Sequence, residues 1–299
     1  MVTHAAQDQA HDSAVHSVSL AHSQYKETFE FENASQQLNV KGPSFQYSYN
    51  QTDYSLGFNL QKAQDRMQNN YPLIERQFSL MFKSQGYGLS MQRYVGQGWL
   101  GLSAQRTTEN SEYDFSQRTN KVNSQSEIQI NSLSMDTGYS WYFEASSLSI
   151  SGQLSYQDNQ ETTIYSQPNQ SLNIPSTNQS TSILNENAVL ANIRVDYGIF
   201  TPLEFFHPDL LLNTGINASY SKSLSGEAYI QQNNRVQLPN TSITQSASEL
   251  EVDNAQQSTR FGVQISLLGL KNSVMFSVDK EDEQALDESY FSLSVGTQF

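Results

Sequence analysis

The chain ends on a pattern that few folds can accommodate. In Tyr290-Phe291-Ser292-Leu293-Ser294-Val295-Gly296-Thr297-Gln298-Phe299, the side chains of Phe291, Leu293, Val295 and Phe299 share one face of an extended strand. Ser292, Ser294, Gly296 and Gln298 share the other. Successive side chains of a strand point to opposite faces, so period two with one apolar face marks a strand between two different surroundings. The alternation runs to the last residue and stops on an aromatic ring. It also recurs upstream: in Phe45, Tyr47 and Tyr49, in Tyr54 to Leu60, in Phe78, Leu80 and Phe82, and in Tyr87, Leu89 and Met91. Leu100 to Ala104, Leu133 to Phe143, Leu148 to Tyr156, Val189 to Ile199, Leu210 to Tyr220, Phe261 to Leu267 and Val274 to Val278 continue it.

Composition decides what such strands build. At 36% hydrophobic residues and a mean hydropathy of −0.57, a water-soluble chain would have a modest core. A membrane barrel escapes that limit, because only one residue in two faces lipid. Charged residues are 15%, below the roughly 25% of soluble domains, as expected of a surface that faces hydrocarbon. No stretch reaches the ~18 consecutive apolar residues of a spanning helix. The net charge of −14 excludes nucleic acid as a partner, since phosphate binding needs basic patches. The absence of cysteine fits a periplasmic folding route. Met1 is followed by neither a basic start nor an apolar run, so the expectation is that a secretory signal was removed.

The fold class expected is all-β, a transmembrane antiparallel barrel of about twelve strands with both termini in the periplasm. Turns are expected at Asn50 to Asp53, Ser84 to Gly86, Gly96 to Gly98, Glu144 to Ser147, Thr201 to Asp209 and Gly269 to Asn272. Residues 25–41 would add a hairpin and raise the count to fourteen, but Gly42-Pro43 is expected to break the ladder there. Residues 1–24 show no alternation and read as a helix or tail, a periplasmic or lumenal segment ahead of a barrel over 25–299. Long polar connections near 107–126, 158–187 and 222–255 all emerge on one side, as extracellular loops do. Arg76 and Arg93 are expected near periplasmic strand ends, and Arg106 near the outer end, where lipopolysaccharide phosphates would pair with it.

Candidate chemistry is sparse. No catalytic set emerges: His207 is the only histidine beyond residue 22 and lies in an expected periplasmic turn. His4, His11, His16 and His22 show no short metal-ligand spacing, so neither a metal nor another cofactor is expected. Asp279 to Glu288 reads as a solvated acidic tip. Arg194 and Asp196 share the lumen face of one strand, and Arg260 faces inward two strands away, a candidate cluster of lumen charges.

The ending on Phe299 resembles the closing strand of Gram-negative outer-membrane barrels. With about twelve strands and an N-terminal segment ahead of them, the chain resembles the translocator domain of an autotransporter, in solitary form without a passenger. The resemblance implies a monomer in the outer membrane, surrounded by lipid and lipopolysaccharide. It also implies that Phe291, Leu293, Val295 and Phe299 are read by the barrel-assembly machinery. In that family an N-terminal segment passes through the lumen, so part of residues 1–41 is expected to restrict the pore beside Arg194, Asp196 or Arg260. The function implied is non-enzymatic. A porin-like channel for small solutes is one alternative, and a surface receptor or adhesin acting through long loops is another.

Overall fold

A computed structural model describes residues 15–31, 34–71, 76–117, 120–169, 176–203, 205–238, 241–252, 257–269, 272–283 and 286–298. Its strands are β1 (Val15–Phe31), β2 (Ala34–Asn50), β3 (Tyr54–Tyr71), β4 (Arg76–Val95), β5 (Gly98–Gln117), β6 (Asn120–Tyr142) and β7 (Ser146–Asn169). They continue with β8 (Ser176–Pro202), β9 (Leu211–Leu238), β10 (Thr241–Val252), β11 (Gln257–Leu268), β12 (Asn272–Glu283) and β13 (Leu286–Gln298). All pairings are antiparallel, and β1 joins β13 to close the sheet. Successive parts of one edge of β9 take β10 and then β11, which therefore act as two lengths of one strand. The result is a closed barrel of twelve strands, without helices among the described residues.

The first and last described residues, Val15 and Gln298, lie at one end of the barrel, here the near end, with the connections at 51–53, 96–97, 143–145, 203–210 and 269–271. Tight backbone bonds close several of these, such as Gln51 N–H to Tyr54 O at 2.8 Å and Phe143 N–H to Ser146 O at 2.8 Å. At the far end the strands run on as long hairpins. With 28 residues and a rise of about 3.3 Å per residue, β9 is about 90 Å long. Its outward apolar run, Leu212 to Tyr220, covers only about 26 Å along the strand, or about 20 Å in height at a tilt near 40°.

The count of twelve matches the sequence expectation, but the strands differ. Residues 15–24 are not a helix, tail or plug; they form the near half of β1, paired with β13 and β2. Likewise the described residues of 25–41 lie in the wall, and His4 and His11 fall outside the described residues. Ser84-Gln85-Gly86 is no turn, because β4 runs through it in unbroken register with β3 and β5. Arg76 consequently opens β4 at the far end rather than near the periplasmic side. The segments 107–126 and 158–187 are largely paired strand rather than loop, and so are the described parts of 222–255. Gly42-Pro43 interrupts only the ladder to β3, since β1 still pairs at both positions. A side chain at Gly42 would strike the backbone of Lys62, so the two strands pass too closely there for any residue with a Cβ.

One physical change explains the misplaced turn and the false loops. Directly paired residues share a face, and β4 keeps its register, so Tyr87, Leu89 and Met91 point outward with Leu102 and Ala104. Phe78, Leu80 and Phe82 fall on the opposite parity and point inward, beside Tyr113 and Phe115 of β5. Ile128 and Ile130 of β6 and Leu184, Ala188 and Leu190 of β8 are inward too. On β9 a bulge makes the switch: Leu190 faces Ser223 and Val189 faces Ser225, leaving Leu224 outside the ladder. Beyond it, Ala228 and Ile230 point inward although they share parity with outward Ile216. Near the membrane the barrel is apolar outside and polar inside; above it the faces exchange. The buried apolar residues Val40, Ala188 and Ala228 all hold inward positions in the far half, whereas buried Ser134, Ser155, Asn217 and Ser266 line the belt half.

Candidate functional site

At the level of the apolar belt the lumen opens into a cavity of about 550 Å³. Asn59, Ser90, Gln92, Gln105, Gln153 and Asn192 supply much of its wall, with Arg194, Arg260 and Asp136 as the charged groups. The lining comes from β3 to β9 and β11, because the inward parity of these strands carries hydroxyls, amides and glycine there. Asn192 donates to Ser221 Oγ at 2.6 Å, so neighbouring strands tie their lumen groups together.

The sequence places Arg194, Asp196 and Arg260 inward, and their register positions agree. Arg194 clasps Asp196 on the same strand: Nε lies 2.9 Å from both carboxylate oxygens and Nη2 lies 2.7 Å from Oδ1. Side chains 41% and 32% exposed remain hydrated, so such a pair contributes about 0–1 kcal/mol and mainly fixes direction. Arg260 lines the same cavity, opposite Ser219, which in turn faces Arg194 across the next pairing.

A second charged unit was not singled out from the sequence. Asp136 of β6 accepts from Trp99 Nε1 at 3.2 Å and from Gln92 Nε2 at 3.4 Å. Two glycines make room for it. Gly101 sits opposite Asp136, where a Cβ would collide with the carboxylate. Gly138 lies under the Trp99 ring, where a Cβ would collide with the indole. The signal was available in the inward parity of Trp99 and Asp136, on strands otherwise read for their outward residues. With Asp196, the described lumen groups at this level are two arginines and two aspartates, a balanced wall.

Other candidates lie elsewhere. His207 sits in the near-end connection, 3.7 Å from Asp209. His16 and His22 are on β1, and His16 Nδ1 meets the Tyr47 hydroxyl at 2.7 Å. Of the proposed assembly residues, Leu293 and Val295 are 50% and 52% exposed. Phe291 holds the register position opposite Val278, and Phe299 lies outside the described residues. The far half holds Glu109 on its inner face, opposite Ser84 and Ile128. Burial raises its carboxyl above the ordinary carboxylate range, and a bond from Ser84 at 3.3 Å partly opposes that.

No family model matches the chain, and no curated protein matches it. Solved structures do. The translocator domain of autotransporter NalP from Neisseria meningitidis superposes with a TM-score of 0.65 at 11% identity, covering 99% of this chain and 93% of that one. The fold is that of an autotransporter translocator barrel. The beta domain of the Bordetella autotransporter BrkA superposes with a TM-score of 0.59 at 9% identity, covering 96% and 100%. At such identities the likeness is one of fold. A translocator-type barrel with an outward apolar belt belongs in a bacterial outer membrane, where lipid covers the belt.

Proposed function

We propose that the chain is a passive, non-enzymatic barrel of the translocator type, in which polypeptide preceding Val15 occupies the lumen. The observation that carries this reading is the position of β1. Its first residue lies at the near end, so whatever precedes it starts at the mouth of a hydroxyl- and amide-lined cavity of about 550 Å³. Such a wall offers hydrogen bonds to a polar chain and no apolar grip. On this reading the near end is periplasmic and the far hairpins are extracellular. The solute-channel reading is second, favoured by the balanced lumen charges, which leave no strong barrier to either sign of ion.

Planar-bilayer conductance separates the two. The whole chain should conduct weakly or intermittently, and a version lacking residues 1–14 should stay open. Strong and equal conductance from both would replace the translocator reading with the channel. We also propose that Phe291, Leu293, Val295 and Phe299 form the assembly signal. Deleting Phe299 should lower heat-modifiable barrel in outer membranes while refolding in detergent persists; unchanged membrane levels would remove that role.

A further inference from the structure

The outward surface between β8 and β12 carries a groove of about 580 Å³ on the lipid side. Its floor is Ala218, a small residue between larger neighbours. Val195 and Phe261 flank it on one register line, and Tyr197, Ile216 and Val263 lie on the next. Apolar side chains of this kind meet acyl chains throughout the belt. What distinguishes this stretch is its far edge. Lys280 lines the groove on the same register line as Phe261. Lys222 lies on β9 at the next outward position beyond Tyr220. From strand rise and spacing, the two lysine Cα atoms are about 17 Å apart along the upper border.

These lysines belong to a wider arrangement. Lys62, Lys83 and Arg106 also face outward at the far edge of the belt, in a chain whose net charge is −14. Between these residues and Arg93, which faces outward at the near edge, the outward belt positions carry no Asp, Glu, Lys or Arg among the described residues. These basic residues stand where hydrocarbon gives way to headgroups, with Asp158 facing outward on the register line of Arg106. Lys83 borders a smaller groove shared with Glu112 and Glu127, whereas between β8 and β12 the lysines meet an apolar one.

We infer that this groove, with Lys222 and Lys280 at its head, holds one phosphorylated glycolipid of the outer leaflet. One acyl chain lies over Ala218 and the phosphates rest on the two ammonium groups. Lys280 faces Phe261 across its pairing with β11. Lys222 faces Gln257 and Ala191 across its pairings. Tyr220, donating to Gln257 at 3.4 Å, borders the path between them. The inference rests on the far end being extracellular.

The test is native mass spectrometry of the full chain, released from nanodiscs containing either purified lipopolysaccharide or phosphatidylglycerol. The protein should retain one lipopolysaccharide molecule. The double variant Lys222→Glu/Lys280→Glu should reduce that retention about tenfold or more. Ala218→Trp fills the groove without touching charge and should reduce it similarly, with heat-modifiability showing that each variant is folded. Retention unchanged in both variants would overturn the site. Preferential retention of phosphatidylglycerol would overturn the choice of lipid. Impermeant labelling of cysteine at Asn110 but not at Gln97 in intact cells reports sidedness separately. The reverse labelling would overturn the orientation whatever the lipid result.

Discussion

Strand β4 passes through two different solvents, and its two halves obey opposite rules. From Tyr87 to Met91 the large side chains point out, and Leu89 is 63% exposed because its neighbours there are lipid rather than protein. From Phe78 to Phe82 they point in, and Phe78 meets Tyr113 edge-on with ring centroids 5.1 Å apart. The backbone ladder does not change between them. A sheet fixes only that alternate residues face alternate sides; the surroundings decide which side is apolar. The far half is thus organised like a soluble barrel standing on a membrane barrel.

The contrast breaks most visibly if a charge is tolerated equally in both regions. Leu89→Arg should cost about 2–4 kcal/mol in urea unfolding from vesicles, because it puts a cation against hydrocarbon. Asn110→Arg, outward on β5 beyond the belt, should change stability by no more than about 0.5 kcal/mol. Similar losses at both sites would erase the boundary.

A smaller effect sharpens the other side of the comparison. Phe78→Ser removes an inward ring and its contact with Tyr113 and should cost about 1–2 kcal/mol of local stability. Hydrogen exchange should accelerate in β4 and β5 on the far side of Gly86, with the belt amides still protected. Loss of protection along the whole strand would make the two halves one cooperative unit.

The smallest effect concerns Glu109. Its folded carboxyl titrates above the unfolded value, so its contribution is fully present below about pH 4. That contribution is lost as pH rises through the folded value. Glu109→Gln should therefore raise the melting temperature slightly at pH 7 and leave it unchanged at low pH. A variant whose melting temperature is unchanged at both pH values would show that the inner wall around Glu109 is wet.

The face exchange also explains which parts of the fold were legible in the sequence. Leu212 to Tyr220 and Phe261 to Leu267 read cleanly because each apolar run keeps one parity within the belt. On β4 the runs Phe78-Leu80-Phe82 and Tyr87-Leu89-Met91 differ in parity, so the step between them looked like a turn. On β1 the outward apolar residues are only Val18 and Leu20 beside His16 and His22, too thin a signal for a strand. One strand lost and one strand divided left the total at twelve. The lumen pair Arg194 and Asp196 was legible from spacing alone. For the Asp136 unit, parity shows only that Trp99 and Asp136 face inward; that Trp99 lies over Gly138 is a packing between two strands.

The seam between β1 and β13 has a kinetic consequence. Every other pairing joins segments next to each other in the chain or separated by one hairpin, whereas Ser17 must find Gln298. Hairpins can zip locally, but loop closure over nearly the entire chain carries the largest entropy cost of any contact in the molecule. The barrel is therefore expected to spend its slowest moments as an open, curled sheet with two bare edges. A factor that held those edges together would act as a catalyst of its maturation.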